Sequence, residues 1–554
     1  MNTVHEGKIR TYQAVIAILA ALFFVPFLGG VHLFDWDEIN FAESAREMIK
    51  SGDYLTVRVN FVPFWEKPPL FIWMQVLSMK VFGINEFAAR FPNAICGVVT
   101  LVVLFTMGSK MFNLRFGLIW TLLYAGSMLP FFYFKSGIID PWFNLFIFLG
   151  VYQLFLYFNQ DHSRLRHAVF SGLLIGLAIL TKGPVALLVV AITTLIYLLI
   201  KKFRVRVRIT DVLAFAVAMA FTGGFWFILQ ILNGNFSIIA DFIVYQIRLF
   251  KTQDAGHGGF LLYHFVVLFF GVFPASVFAL PALFKIPKGD GKNAGFLIWM
   301  LILFWVVLIL FTIVRTKIVH YSSLCYFPLT FVAAWAFCNT EISGRWKKAM
   351  LVLIMFIGTL LALVFMGLTA IDHFKDRIIS LGWIGDPFAV ACLDAHAGWK
   401  GYEFVAGLIL LAGLMAFFKQ WRRNRQEQAL MILTATVPLF LFLSMMLIVP
   451  RIEAYSQRAA IEFFKSVSRE DAYFETVGYK SYAHLFYGDI RNHAHENARN
   501  EQWLLTGDTD KRAYFSIKIT RKEKFIQEYP HIEYMYEKNG FVFFKREPVK
   551  KANF

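Results

Sequence analysis

Cysteine is scarce in this chain: Cys96, Cys325, Cys338 and Cys392 are its only four, spread over 554 residues. That number and that spacing exclude a disulfide framework and a cysteine-built zinc site. Charge is scarce too, at 16% of the sequence, against about 25% in an ordinary soluble domain. Acids are the rarer sign, 37 against 54 bases, leaving a formal charge of +17. Apolar residues fill the gap, at 58% of positions with 63 phenylalanines. A composition this apolar excludes disorder. A nucleic-acid binder gathers its bases into one patch, so the placement of charge decides between that class and a membrane protein with basic loops.

Apolar stretches near the length of a bilayer crossing, roughly 17–25 residues, recur along most of the chain. They lie near 11–30, 89–109, 116–134, 139–158, 167–181, 184–200, 211–231, 261–284, 295–314, 320–337, 348–370, 403–418 and 429–448, thirteen in all. The fifth and sixth are short and are separated by Lys182-Gly183-Pro184. The first ends in Pro26-Phe27-Leu28-Gly29-Gly30, which lacks the small-x-small pattern of a cleaved signal peptide. No short repeat is evident.

Lys and Arg favour the cytoplasmic side of a membrane. With residue 1 inside, the seven inner connections hold 21 bases against five acids, Glu6, Asp161, Asp290, Glu341 and Glu427. The densest is Lys201, Lys202, Arg204, Arg206 and Arg208. The alternate connections are longer or contain acids. The basicity is therefore a topology signal, and no nucleic-acid partner is expected. This predicts a polytopic α-helical membrane protein with about thirteen transmembrane helices over residues 1–449 and a small external α/β domain over 450–554. The latter mixes 18 bases with 15 acids and has no spanning segment. Within it, Ala459 to Val467 reads as a helix. Ile532 to Tyr536, Asn539-Gly540 and Phe541 to Lys545 read as a hairpin, because Asn-Gly supplies the positive φ of a tight turn.

The first external segment, residues 31–88, is the richest in chemistry. Phe34-Asp35-Trp36-Asp37-Glu38 precedes a helical pattern with Ile39, Ala42, Ala45 and Ile49 on one face. Trp65-Glu66-Lys67-Pro68-Pro69 then precedes an apolar stretch, Leu70 to Phe82, that is short for a crossing and suits the membrane surface. An Asp before a helix caps it, and Asp35 with Glu38 matches the capping-box spacing. A carboxylate at the membrane–water boundary also suits proton transfer, and the two readings are compatible. Further polar residues sit at the outer ends of other helices. They are Asp140-Pro141, Lys182, the connection carrying Arg248, Lys251, Asp254 and His257, and the turn carrying Arg315, Lys317, His320 and Tyr321. A lone lysine at a helix end commonly snorkels to the interface. Here Asp37, Glu66, Lys67, Asp140, Lys182, His257, Lys317 and Tyr321 all map to one side and one depth. A site with both signs there suits a reaction on a lipid phosphate, with cations on the phosphate and an acid managing the acceptor proton.

Asp37-Glu38, Phe41-Ala42-Glu43, Ala45-Arg46-Glu47-Met48, Ser51-Gly52-Asp53 and Glu66-Lys67-Pro68-Pro69 resemble the first external loop of GT-C glycosyltransferases. The resemblance is to the bacterial aminoarabinose–lipid A transferases and their protein mannosyltransferase-like relatives. Asp140-Pro141 and Lys182-Gly183-Pro184 fall where that family has later motifs. The resemblance implies an enzyme of the bacterial inner membrane, with its N-terminus cytoplasmic and its C-terminal domain periplasmic. That enzyme transfers a sugar, with inversion, from a polyprenyl-phosphate carrier to a lipid A-like lipid, a glycan or a protein. It implies Asp37 as the catalytic carboxylate and Asp140 as a second acidic position. Lys67 and Lys182 then face the donor phosphate, with Arg248, Lys317 and Tyr321 nearby and Glu38, Asn40, Glu43 and Glu66 completing the first-loop site. A divalent cation shared by Glu66 and His257 would help neutralise the leaving phosphate; His257, in the run Gly256 to Gly259, reads equally as a flexible-loop residue. Aminoarabinose transferases tend to carry Asp-Glu-(small)-Arg-Tyr-Ala-Glu, and here Asn40 stands in place of the Arg. The resemblance thus carries the reaction class without naming the sugar or the acceptor.

Two other classes make different demands. A flippase for lipid-linked sugars needs charges inside several helices or paired broken helices, whereas these charges cluster at outer helix ends. An envelope scaffold leaves the polar cluster without chemistry.

Overall fold

The structure, a computed structural model, describes residues 2–160, 163–251, 258–285, 292–339, 343–492 and 495–549. Long apolar segments away from water must satisfy their own backbone groups, and helices do so. Among the described residues, ten helices are long and apolar enough to cross a membrane, or eleven if the bent pair Leu114–Ala125 and Met128–Phe134 (74°) forms one span. The protein is a multi-pass membrane protein. All thirteen apolar segments of the sequence map onto helices. The three outside the ten are the bent pair, the short helix Val185–Ile200, and the stretch around 261–284. That last stretch is divided at Pro274 into Tyr263–Gly271 and Ala275–Leu283, as a proline without a backbone N–H requires.

Neighbouring helices touch closely where side chains are absent. A Cβ added at Gly172 or Gly176, on the helix Arg164–Lys182, would collide with the carbonyls of Phe215 and Met219 on the helix Ile209–Leu232. Small residues at such crossings replace the hydrophobic drive that lipid cannot supply.

The first loop folds as two helices, Asp37–Ser51 and Leu70–Phe82, joined through the short hairpin Arg58–Val59 and Val62–Pro63. The helix Asp37–Ser51 stops at Gly52 (φ 73°), whose N–H donates to the Met48 carbonyl. Its apolar face is buried as its pattern requires, but so are Glu38, Glu43, Arg46 and Glu47. For the Glu43–Arg46 pair the C-terminal domain explains this, because it meets that part of the helix. Arg46 forks onto the Glu43 carboxylate at 2.7 Å and donates to Asp489 at 2.9 Å. The Leu33 N–H donates to the Tyr487 hydroxyl at 2.7 Å, and Gln457 donates to the Leu33 carbonyl at 2.8 Å.

That domain is a four-stranded sheet. Tyr473–Val477 runs parallel to Ala513–Lys518, which pairs antiparallel with Phe541–Arg546, which in turn pairs antiparallel with Glu533–Lys538. Asn539 (φ 48°) and Gly540 (φ 81°) make the hairpin turn, the geometry that Asn-Gly favours. The helix Arg458–Val467 packs Phe463 on Phe543 with ring centroids 4.2 Å apart.

Glu47 is the outlier of the covered face. Burial, and then the Glu43 carboxylate beside it, push its carboxyl up to about 9. The folded protein thus keeps a proton that the unfolded chain releases above the ordinary 4.5. Between those values the native state binds more protons, so stability falls as pH rises, by up to about 1.4 kcal/mol per pH unit. Glu47→Gln removes the titration. Thermal unfolding followed from pH 5 to 9 is expected to show a flatter slope in this variant than in the wild type, and an unchanged slope would assign the effect to another group.

Candidate active site

The outer helix ends, the first loop and the C-terminal domain enclose one cavity of about 810 Å³. Asp37, Glu38, Asn40, Glu66, Lys67, Asp140, Lys182, Arg248 and Tyr321 all line it. Residues from four distant parts of the sequence therefore share one space.

Asp37 opens the first-loop helix, and its side chain is 42% exposed. Behind it, His320 Nε2 lies 3.6 Å from the Asp37 carboxylate and 4.0 Å from that of Asp140. Asp140 is buried, and Lys182 Nζ donates to its Oδ1 at 2.6 Å. Tyr321 lies beside the same ammonium, with its ring centroid 5.2 Å away. The imidazole thus stands between a compensated carboxylate and an accessible one. Its backbone is fixed by Ser323, whose hydroxyl donates to the His320 carbonyl and accepts from Asn144 at 2.7 Å. An ionised Asp37 at that spot can accept a proton from a bound hydroxyl or hold it in position.

On the other side, Lys67 Nζ donates to the Tyr245 hydroxyl at 2.6 Å, and Arg248 pairs with Glu66 at 3.2 Å. Tyr245 and Arg248 come from the amphipathic helix Ser237–Lys251. Donors of this kind, converging from two elements, suit a phosphate.

Some first-loop residues serve the scaffold. The Asp35–Glu38 pair does not form a capping box: the helix starts after Trp36, which makes no side-chain cap bond. Asp35 instead accepts from the Ser481 hydroxyl and the Tyr482 N–H. Burial nevertheless holds its carboxyl above the ordinary range, outweighing those bonds. Glu38 accepts from Arg90 at 2.7 and 2.8 Å, from the Phe34 N–H at 2.8 Å and from the Gly137 N–H at 2.6 Å. Glu43 is spent on Arg46 and does not line the cavity. Asn40 reaches the cavity wall, with its Oδ1 buried and without a hydrogen-bond partner.

Lys317 does not line the cavity either. Its ammonium donates to the carbonyls of Phe311, Thr312 and Val314 at 2.6–3.1 Å, closing the end of the helix Lys292–Ile313. His257 lies outside the described residues. Among the described residues no group of three or more His, Cys, Asp or Glu is placed to hold a metal ion.

Trp36, Tyr245, Lys480 and Tyr482 also line the cavity and were not singled out in the sequence. His320 was noted only as a member of its turn. Lys480 and Tyr482 sit in a loop with no motif, and only the folded chain brings them to Asp37.

The sequence profile of the family described as dolichyl-phosphate-mannose-protein mannosyltransferase matches residues 66–226, a span holding Glu66, Lys67, Asp140 and Lys182. An undecaprenyl phosphate-alpha-4-amino-4-deoxy-L-arabinose arabinosyl transferase of Pectobacterium carotovorum is 25% identical over 444 residues, 79% of this chain and 76% of the relative. The crystal structure of ArnT from Cupriavidus metallidurans bound to undecaprenyl phosphate superposes with a TM-score of 0.75. The two share 17% identity, and the match covers 97% of this chain and 98% of that one. The chain has the GT-C fold. A similarly named transferase of Photorhabdus laumondii is 29% identical over 326 residues, 57% of this chain, which spans 58% of that relative's length. The GT-C fold accounts for both the helical membrane part and the small sheet domain.

Proposed function

We propose that the chain transfers a sugar from a polyprenyl-phosphate carrier to an acceptor at the external membrane surface, with inversion at the anomeric carbon. The observation that carries this is the accessible Asp37 carboxylate in the same cavity as Lys67, Lys182 and Arg248. A base and a phosphate site face one space. The names of the relatives support the donor class, and make undecaprenyl phosphate-linked aminoarabinose the donor to assay first, with a lipid A-like lipid as its acceptor.

In the reaction, an acceptor oxygen attacks the anomeric carbon as the bond from that carbon to the carrier phosphate breaks. The electron pair leaves on the phosphate, whose growing charge meets Lys67, with Arg248 and Lys182 adding to the positive field. The acceptor proton passes to Asp37, which has His320 Nε2 beside it at 3.6 Å. The cavity holds both reactants in line, which replaces a bimolecular encounter. No covalent glycosyl-enzyme forms.

The clustering of bases on alternate connections supports a cytoplasmic N-terminus and an external cavity and C-terminal domain. The test is mass spectrometry of envelope lipids and proteins from cells with and without the gene. A sugar-sized mass increment that needs the gene identifies donor and acceptor together, and identical spectra would sink the transferase reading.

A further inference from the structure

The wall of the cavity that the C-terminal domain supplies carries a cation of its own. Lys480 is exposed, with Nζ 4.8 Å from the Trp36 ring centroid and 5.6 Å from that of Tyr482. The two rings stand 6.5 Å apart at 88°. Asp35, two residues before Asp37, anchors this loop through the Ser481 hydroxyl and the Tyr482 N–H. From below, the Tyr479 hydroxyl donates to Ser516 on the sheet at 2.9 Å.

Each of the other cavity cations already has a polar partner, and the transferase reading assigns them to the donor phosphate. Lys182 is paired with Asp140, Arg248 with Glu66, and Lys67 is bound to the Tyr245 hydroxyl. Among the described residues no carboxylate pairs with Lys480. The first-loop helix offers no cation into the cavity, since Asn40 is its polar residue one turn from Asp37 and Arg46 is buried against Glu43. Lys480 is thus the positive charge available on the side of Asp37 away from the membrane helices.

We propose that Lys480, Trp36 and Tyr482 form an acceptor subsite for the anionic saccharide head group of a lipid. This rests on the transferase reading above. Aromatic faces pack on the C–H faces of sugar rings, and an ammonium at their edge takes the phosphate or carboxylate. The donor does not compete for this wall. Its phosphate belongs to Lys67 and Arg248, and its hydrocarbon chain must leave toward the apolar helix side, where Val185, Val189 and Phe311 line the cavity. Asp37 lines the same cavity as both subsites, as the carboxylate that takes the acceptor proton must.

The test uses the full-length protein in neutral phosphatidylcholine nanodiscs, with bisphosphorylated lipid A and its dephosphorylated form as acceptor probes. Lys480→Gln is expected to raise the KM for the phosphorylated lipid about tenfold with little change in kcat, as loss of one charge-assisted contact should. The KM for the dephosphorylated lipid stays as in the wild type, and Lys480→Arg restores most of the loss. A Lys480→Gln variant with unchanged KM, or with equal losses on both lipids, overturns the subsite. Binding of the two lipids is titrated separately by tryptophan fluorescence. Lys480-dependent binding without transfer would refute the transferase reading and keep the subsite. Binding of the phosphorylated lipid that ignores Lys480 would refute the subsite alone.

Discussion

Asp37→Asn is expected to lower sugar transfer by about three orders of magnitude, the middle of the range for loss of a positioned general base. The amide keeps the shape of the side chain and loses the charge and the proton-accepting oxygen. The fold has little reason to respond, because Asp37 is 42% exposed and its polar neighbour His320 is 3.6 Å away, longer than a hydrogen bond. Donor binding is expected to persist, since Lys67, Lys182 and Arg248 are held by Tyr245, Asp140 and Glu66 rather than by Asp37. The decisive measurement pairs a single-turnover transfer assay with retention of the radiolabelled donor on the purified variant. Near-normal transfer would remove Asp37 as the reacting carboxylate. Equal loss of donor binding would show that its charge serves the ground state.

Arg90→Met is expected to have the largest effect on stability, about 3–5 kcal/mol, the range for stranding one half of a buried ion pair. Arg90 is 1% exposed and Glu38 is 3% exposed. Besides its fork onto Glu38, the guanidinium donates to the carbonyls of Leu28 and Val31 at 2.7 and 2.8 Å, and to that of His32 at 2.8 Å. One side chain thus fastens the end of the first crossing, the start of the first loop and the helix Glu86–Met111. Its loss leaves the Glu38 carboxylate inside the protein with only the Phe34 and Gly137 N–H groups. The double variant Glu38→Gln, Arg90→Met removes the stranded charge and is expected to recover part of the loss. Thermal unfolding of the purified proteins in detergent, read as a double-mutant cycle, measures this coupling. A double variant no more stable than Arg90→Met would place the cost in the backbone carbonyls instead.

Much of the membrane part was legible because its signals are local. Apolar runs and their lengths need only near neighbours in sequence, and each predicted run maps onto one helix or two in the structure. Pro274 and Gly126-Ser127 mark where a run breaks or bends, and a hydropathy pattern passes over both. The same logic explains the site. Asp37, Lys67, Asp140, Lys182, Arg248 and Tyr321 each sit at a helix end or in the first loop, so reading them as one group asked only for a common side. Lys317 satisfied that rule as well, yet its ammonium turns back onto its own helix end. Side and depth do not give the direction of a side chain. The Asp35–Glu38 spacing suited a capping box, but the partners that claim these carboxylates, Ser481 and Arg90, lie 446 and 52 residues away. Lys480 and Tyr482 were invisible for the same reason. Nothing near them in sequence marks a cavity that is 446 residues distant along the chain.

The anchoring of the 478–482 loop to Asp35 also bears on the order in which the protein becomes whole. Asp37 leaves the ribosome long before the C-terminal strands, and every spanning helix among the described residues is made before residue 454. The loop over Asp35 follows the strand Tyr473–Val477, which needs Ala513–Lys518 beside it, which in turn needs Phe541–Arg546. A chain cut between residue 454 and that last strand would keep every described spanning helix and the cationic pocket, yet lack a finished wall beside its reactive carboxylate. Completion of the site is thereby tied to the strand Phe541–Arg546, and a product that stops short of it is left inserted but unfinished.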